Sequence, residues 1–224
     1  MNEGNANPQA QELLNLSRTL NYYEEQLARP GDQFNLFNII GSCEATHSNL
    51  LAVLLNPKGS HGQGDVFLRH FVDVIRKAKG AETTIPELFC GAAEVLTEFS
   101  IGPVTDESGG RIDILIREGT EPRFLIENKI YAAEQQNQLN RYECFASKFN
   151  AAVIFLTLDG REPQNLKDGK HLICISYKDH ILEWLKTCQK EAVAAPPVRE
   201  AIAQYIGLIK QIINQSIGGV KLFL

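Results

Sequence analysis

The stretch Arg123–Ala132, RFLIENKIYA, decides how the chain is read. It begins as an apolar run of strand-forming residues, yet Glu127 and Lys129 stand near its end with Asn128 between them. Residues i and i+2 of a strand share a face. Phe124, Ile126, Asn128 and Ile130 therefore point one way, and Leu125, Glu127 and Lys129 the other. The preceding run RIDILI, residues 111–116, divides in the same manner: Ile112, Ile114 and Ile116 on one face, Arg111, Asp113 and Leu115 on the other. If the two runs are neighbours with their apolar faces on the same side, Asp113, Glu127 and Lys129 converge on the opposite face. Buried charges that are neither paired nor bound to an ion are costly, so this triad is either an internal salt bridge or the seat of a cation.

Ahead of both runs, AEVLTEFSIG (93–102) reads as a further strand, and the links TDESGG and EGTEP are short enough to imply an antiparallel meander. After them comes AAEQQNQLNRYECFASKF, read as one helix over residues 132–149. The next run, AAVIFLTL, is that of a strand buried on both faces and reached by a helical crossover. HLICISY (171–177) is a last strand, and HILEWLKTCQKEA and PVREAIAQYIGLIKQIIN are helices. Before the sheet, helical periodicity covers residues 12–28, and again residues 34–55 with an interruption at Gly41. Asp65 is placed to cap a helix over VFLRHFVDVIRKAK, which Gly80 closes. The expected fold class is α/β: a mixed sheet of four to five strands in α-β-β-β-α-β order, flanked by helices, with extra N- and C-terminal helices. Residues 1–11 are expected to be disordered and residues 12–224 to form a single domain.

At 224 residues, 44% hydrophobic and 22% charged, the chain has the make-up of a globular protein able to bury one sizeable core. No apolar run approaches the roughly 18 residues of a membrane span. The polar start MNEGNANPQAQ has no signal-peptide pattern, so a cytoplasmic location and no membrane partner are expected. Five scattered cysteines without metal-ligand spacing read as reduced thiols. A net charge of −5 argues against a protein that coats nucleic acid non-specifically, but not against an enzyme whose site is locally basic or metal-loaded.

Gly109-Gly110 precedes the strand with Asp113, the acid and lysine follow on the next strand, and a polar helix comes directly after. That order resembles the PD-(D/E)XK nuclease superfamily, whose fold is restriction-endonuclease-like. GRIDILI corresponds to its aspartate-bearing strand and IENK to its E-x-K element. QLNRY supplies Gln138 and Tyr142 at i and i+4 on one helical face, similar to the Q-x-x-x-Y of several branches. CEATHSNLLAVLLNPKGSHGQGDVFLRHF (43–71) resembles the opening of an uncharacterised bacterial branch that reads E-x-x-H-S, then L-L-x-P and S-H-G-Q. The resemblance covers about residues 40 to 160. One departure is Arg111-Ile112 ahead of Asp113, where some members carry proline.

The resemblance implies phosphodiester hydrolysis with Mg²⁺ or Mn²⁺, with nucleic acid, DNA foremost, as the partner, in bacterial defence or DNA processing. Asp113 and Glu127 would give carboxylate oxygens to the cation and the backbone carbonyl of Asn128 a third ligand; Glu44 would complete the shell or serve a second ion. The cation would lower the pKa of a water and offset charge at phosphorus. Lys129 would orient the nucleophile or neutralise developing charge, and Gln138 would position the phosphate or the water with Tyr142 supporting it. His47 is either an orienter or phosphate contact or a core histidine. His61, in the glycine-flanked GSHGQGD, either approaches a ligand or holds a turn. Glu98 is a supporting acid or a solvent-facing edge residue, and Arg111, Arg141 and Lys148 are basic residues able to meet phosphates. Many members pair to cut two strands, so a homodimer is a further expectation. The alternative is a catalytically inactive scaffold or nucleic-acid-binding partner in which the same residues form a structural ion pair; a hydrolase of small phosphates is a third reading.

Overall fold

The computed structural model describes Ser17 and residues 34–78, 85–167 and 169–217. Apart from Ser17, the expectations for residues 1–11 and 12–28 lie outside the described residues, as do the helix stop at Gly80 and the closing GGVKLFL. The chain divides into two units, Met1–Leu36 and Phe37–Leu224, and the second holds the sheet.

A short helix, α1 (Leu36–Ile40), stops at Gly41, whose φ of 80° is left-handed, and α2 (Glu44–Leu55) follows. In α3 (Val66–Lys77) Asp65 is the N-cap residue, but its carboxylate pairs with Arg69 at 3.0 Å and makes no capping bond. Its backbone (φ −90°, ψ 3°) is not the extended conformation that aims a side chain back at the first turn, which corrects the capping expectation. β1 (Ala93–Ser100), β2 (Arg111–Glu118) and β3 (Glu121–Lys129) form the antiparallel meander. Helix α4 (Gln138–Ser147) then carries the chain across to β4 (Ala152–Thr157), which lies parallel to β3, and β5 (Leu172–Ser176) continues parallel to β4. The sheet order is β1-β2-β3-β4-β5. A single π-helical turn, Tyr177–Ile181, leads into α5 (Leu182–Glu191), and α6 (Pro196–Ile217) closes the described chain.

The sheet has a helical layer on each face. Ile114, Ile116, Phe124, Ile126, Ile154 and Leu156 pack with Phe67, Phe71 and Trp184 from the larger layer of α2, α3, α5 and α6. Leu115, Leu125, Val153 and Phe155 pack beneath α4 against Leu139, Tyr142 and Ala146. All six residues of β4 are buried, as a strand covered on both faces requires.

Two local expectations change. Helix α4 spans 10 residues rather than starting near residue 132. Asn137 stands in the left-handed region at φ 58°, and the N–H groups of Tyr131 and Ala132 are already held by Glu44. Ile112 packs with Leu115 and Leu125, not with Ile114 and Ile116. Its partner Phe99 follows Glu98, whose left-handed φ of 54° breaks the alternation of β1 and sends Leu96 and Phe99 into the same layer.

Candidate active site

The site forms where β2 and β3 stop pairing. Their register runs from Glu118↔Glu121 to Ile114↔Ile126 and ends there. One residue beyond, the Asp113 carboxylate replaces a backbone acceptor: its Oδ2 takes the Asn128 N–H at 2.8 Å. In a strand the N–H and C=O of one residue point to the same edge, so the Asn128 carbonyl also faces the β2 side, past the last paired residue.

Glu127 and Lys129 point to the α4 side, 1% and 9% exposed. Lys129 Nζ lies 2.6 Å from Glu127 Oε1, and Oε2 has no partner among the described residues. Asp113, Glu127 and Glu44 all act electrostatically on Lys129, so three carboxylates face one ammonium and leave two negative charges when ionised. Burial pushes Glu127 up to about 8, and the Asp113 charge adds to the shift against the pull of Lys129. Burial also raises Asp113, although the Asn128 N–H and Lys129 oppose it. Burial alone works to lower Lys129; Glu127, Asp113 and Glu44 outweigh it and keep the ammonium charged above its usual value. No three His, Cys, Asp or Glu side chains among the described residues are grouped as a ready metal cage. The donors present are two carboxylates and a backbone carbonyl, which fits a hard cation that retains several waters and not a closed protein cage.

Gln138 and Tyr142 meet this face from α4. The Gln138 amide donates to Tyr142 Oη at 3.2 Å, and Tyr142 Oη donates to the Arg111 carbonyl at 2.5 Å. Burial raises Tyr142, so its hydroxyl stays protonated and structural. The two glycines before β2 make this approach possible. A Cβ on Gly110 would stand 3.1 Å from the Tyr142 ring, and one on Gly109 1.8 Å from the Pro103 carbonyl oxygen. Glu127, Lys129, Asn137, Gln138 and Phe155 line a narrow crevice of about 10 Å³, room for about one water. Its wall is latched: Glu134 pairs with Arg161 and takes the Gln164 N–H at 3.1 Å, and Asn140 donates to the Asn165 carbonyl at 2.9 Å.

Glu44, at the start of α2, reaches over the end of β3. Its Oε1 accepts the N–H groups of Ile130, Tyr131 and Ala132 at 2.9, 2.8 and 2.8 Å. Three donors saturate that oxygen and pin the chain directly after Lys129. Glu98 and Arg111 form an ion pair at 2.5 Å with side chains 42% and 70% exposed, and Glu98 acts on Asp113 only through its charge. Arg141 is buried rather than presented to solvent: it donates to the carbonyls of Gly109 and Gln136, both at 3.1 Å.

The two histidines are engaged inside the fold. His61 Nε2 bonds the Asn56 carbonyl at 2.8 Å, its Nδ1 accepts the Gln63 N–H at 3.0 Å, and its ring stacks on Phe67. His47 is 1% exposed, bonded through Nδ1 to Tyr205 Oη at 2.9 Å and ringed by Tyr131, Tyr177 and Tyr205. Sequence reasoning missed the Asn128 side chain. Its amide donates to Ser48 Oγ at 3.0 Å and accepts from Tyr177 Oη at 3.0 Å. The signal was present: parity put an asparagine on an otherwise apolar face, where its amide needs partners.

A family model for the PD-(D/E)XK nuclease superfamily matches residues 32–207. No curated protein and no solved structure matches the chain. No helix among the described residues is long and apolar enough to cross a membrane.

Proposed function

Because the chain belongs to the PD-(D/E)XK nuclease superfamily, a group generally made up of metal-dependent nucleases, we propose that it hydrolyses phosphodiester bonds in DNA with Mg²⁺ or Mn²⁺. The observation that carries this reading is the Glu127 carboxylate, 1% exposed, with one oxygen unpartnered and the other against a single ammonium. Leaving a charge in that state costs several kcal/mol, and a cation removes the cost. Asp113 and Glu127 would hold the ion together with the Asn128 carbonyl, and Glu44 would complete the shell or serve a second ion. When bound, the ion supplies Lewis acidity to the attacking water and offsets charge on the phosphoryl group.

The side chains divide the remaining work. Lys129 presents a fixed positive charge where the nucleophile and the phosphoryl oxygens meet. Gln138 orients the water or a phosphate oxygen, and Tyr142 holds Gln138 by tying it to β2. Glu44 keeps the turn after Lys129 in place. Two copies of the chain could cut the two strands of a duplex together, and the resemblance of its opening to a bacterial branch favours a role in defence or DNA processing.

The rival reading, an inactive scaffold, draws on the 2.6 Å Lys129–Glu127 contact. It leaves Glu127 Oε2 unexplained. Labelled single- and double-stranded DNA and RNA, incubated with the full chain and Mn²⁺, decide between them. DNA cleavage that disappears on chelation and in a Glu127→Ala/Lys129→Ala double variant is expected. Cleavage surviving in that variant, or none on any substrate, overturns the proposal.

A further inference from the structure

Behind the charged face, on the other side of β3, polar side chains cross the larger helical layer in single file. Tyr177 Oη donates its only proton to Asn128 Oδ1 at 3.0 Å. The amide orientation is fixed independently, because its nitrogen faces Ser48 Oγ and the Glu44 carbonyl, which can only accept. With its proton committed, Tyr177 can receive but not give, and the hydroxyl it interacts with is that of Tyr205. Tyr205 Oη in turn stands 2.9 Å from His47 Nδ1, whose proton it accepts in the tautomer protonated there. This tautomer leaves His47 Nε2 as a bare acceptor, and Nε2 has no partner among the described residues. A buried lone pair without a donor is tolerated better than a buried N–H without an acceptor, and the unpartnered Nε2 therefore selects this tautomer.

We propose that Tyr177, backed by Tyr205 and His47, is a positioning residue for the proposed cation site: it locks the Asn128 side chain so that the Asn128 backbone N–H holds the Asp113 carboxylate at 2.8 Å. The file ends at the Asn128 backbone N–H, which donates to a carboxylate of the site. The inference rests on the nuclease reading for its purpose, though not for its geometry. Outer partners that orient metal-binding groups are worth about 10- to 100-fold in metal affinity. Tyr177→Phe removes one oxygen and keeps the ring, and Tyr205→Phe leaves the Tyr177–Asn128 bond intact. The effect therefore falls steeply from the first to the second.

The test uses the full chain and a control, Trp184→Phe, which deletes the buried Trp184 Nε1–H bond to the Phe67 carbonyl on other elements. Two readouts are taken: Mn²⁺ affinity by calorimetry, and hydrogen exchange of the Asn128 amide in the metal-free protein. Tyr177→Phe is expected to weaken Mn²⁺ about tenfold and to speed Asn128 exchange about tenfold relative to Trp184→Phe, with Tyr205→Phe within about threefold of wild type on both. Equal exchange at Asn128 in Tyr177→Phe and Trp184→Phe overturns the proposal. If wild type binds no Mn²⁺ the cation reading fails, and the exchange comparison still decides whether Tyr177 positions Asn128 against Asp113.

Discussion

Asn128 and Glu127 are neighbours on one strand, equally buried, and their surroundings are opposites. Asn128 reaches the larger helical layer, where its side chain meets Tyr177 and Ser48 and its N–H meets Asp113. Glu127 reaches the α4 side and finds one ammonium, two further carboxylates and an oxygen with no partner. The fold completes the hydrogen bonding of a neutral group and leaves its charged neighbour incomplete. Stability alone would favour the reverse, since a buried charge costs more to leave unpaired than an amide. On the proposed reading the incomplete face is the one available for chemistry, and the complete face is its support.

The sharpest way to break this contrast is to make the two faces alike. Glu127→Gln keeps the shape and removes the charge, and DNA cleavage is expected to fall about 1000-fold, as when a preorganised electrostatic group is lost. The same variant should raise the melting temperature of the metal-free protein at pH 9, read by calorimetry, whereas it gains little at pH 5. The sign follows from Glu127 being raised to about 8 from 4.5: the folded state binds the proton more tightly, so its contribution is full below 4.5 and lost as pH rises through about 8. Damage to the support should act in the opposite sense. Asn128→Ala strands the Tyr177 and Ser48 hydroxyls and is expected to cost about 3 kcal/mol in urea unfolding.

A smaller effect separates the faces by titration. Because the cation competes with the Glu127 proton, Mn²⁺ affinity should climb about tenfold per pH unit below about 8 and level off above it. Flat affinity from pH 6 to pH 8 would mean that Glu127 is not a ligand. At the low end, Arg111→Ala breaks only the exposed Glu98 pair and should change stability by less than about 1 kcal/mol. His61→Ala loosens the loop before α3 at a cost of about 1 kcal/mol and leaves cleavage untouched.

Much of this contrast was legible in the residues. The apolar runs of β2, β3 and β4 announced themselves, and period-two parity put Glu127 and Lys129 on one face of β3 before any coordinate, whereas around Asp113 the alternation breaks between Ile112 and Ile114. What escaped depends on partners far along the chain. The late start of α4 follows from a carboxylate 86 residues ahead of Ile130 gathering three N–H groups, which no local propensity encodes. Ile112 changed layer because of one left-handed residue on the neighbouring strand, Glu98. Arg141 looked like a phosphate contact and is instead the brace that holds Gly109. Tyr177 and Tyr205 gave no signal beyond being aromatic, since their hydroxyls acquire direction only when the π-helical turn and α6 fold behind β3.

The proposed nuclease activity requires a divalent cation on the Asp113–Glu127 face. A calorimetric titration of Mn²⁺ into the metal-free full chain at pH 8, with Asp113→Ala alongside, tests it most directly. Saturable binding by wild type is expected, with its loss in Asp113→Ala at a melting temperature unchanged within a few degrees. Absence of binding in wild type, or equal binding in both proteins, would contradict it.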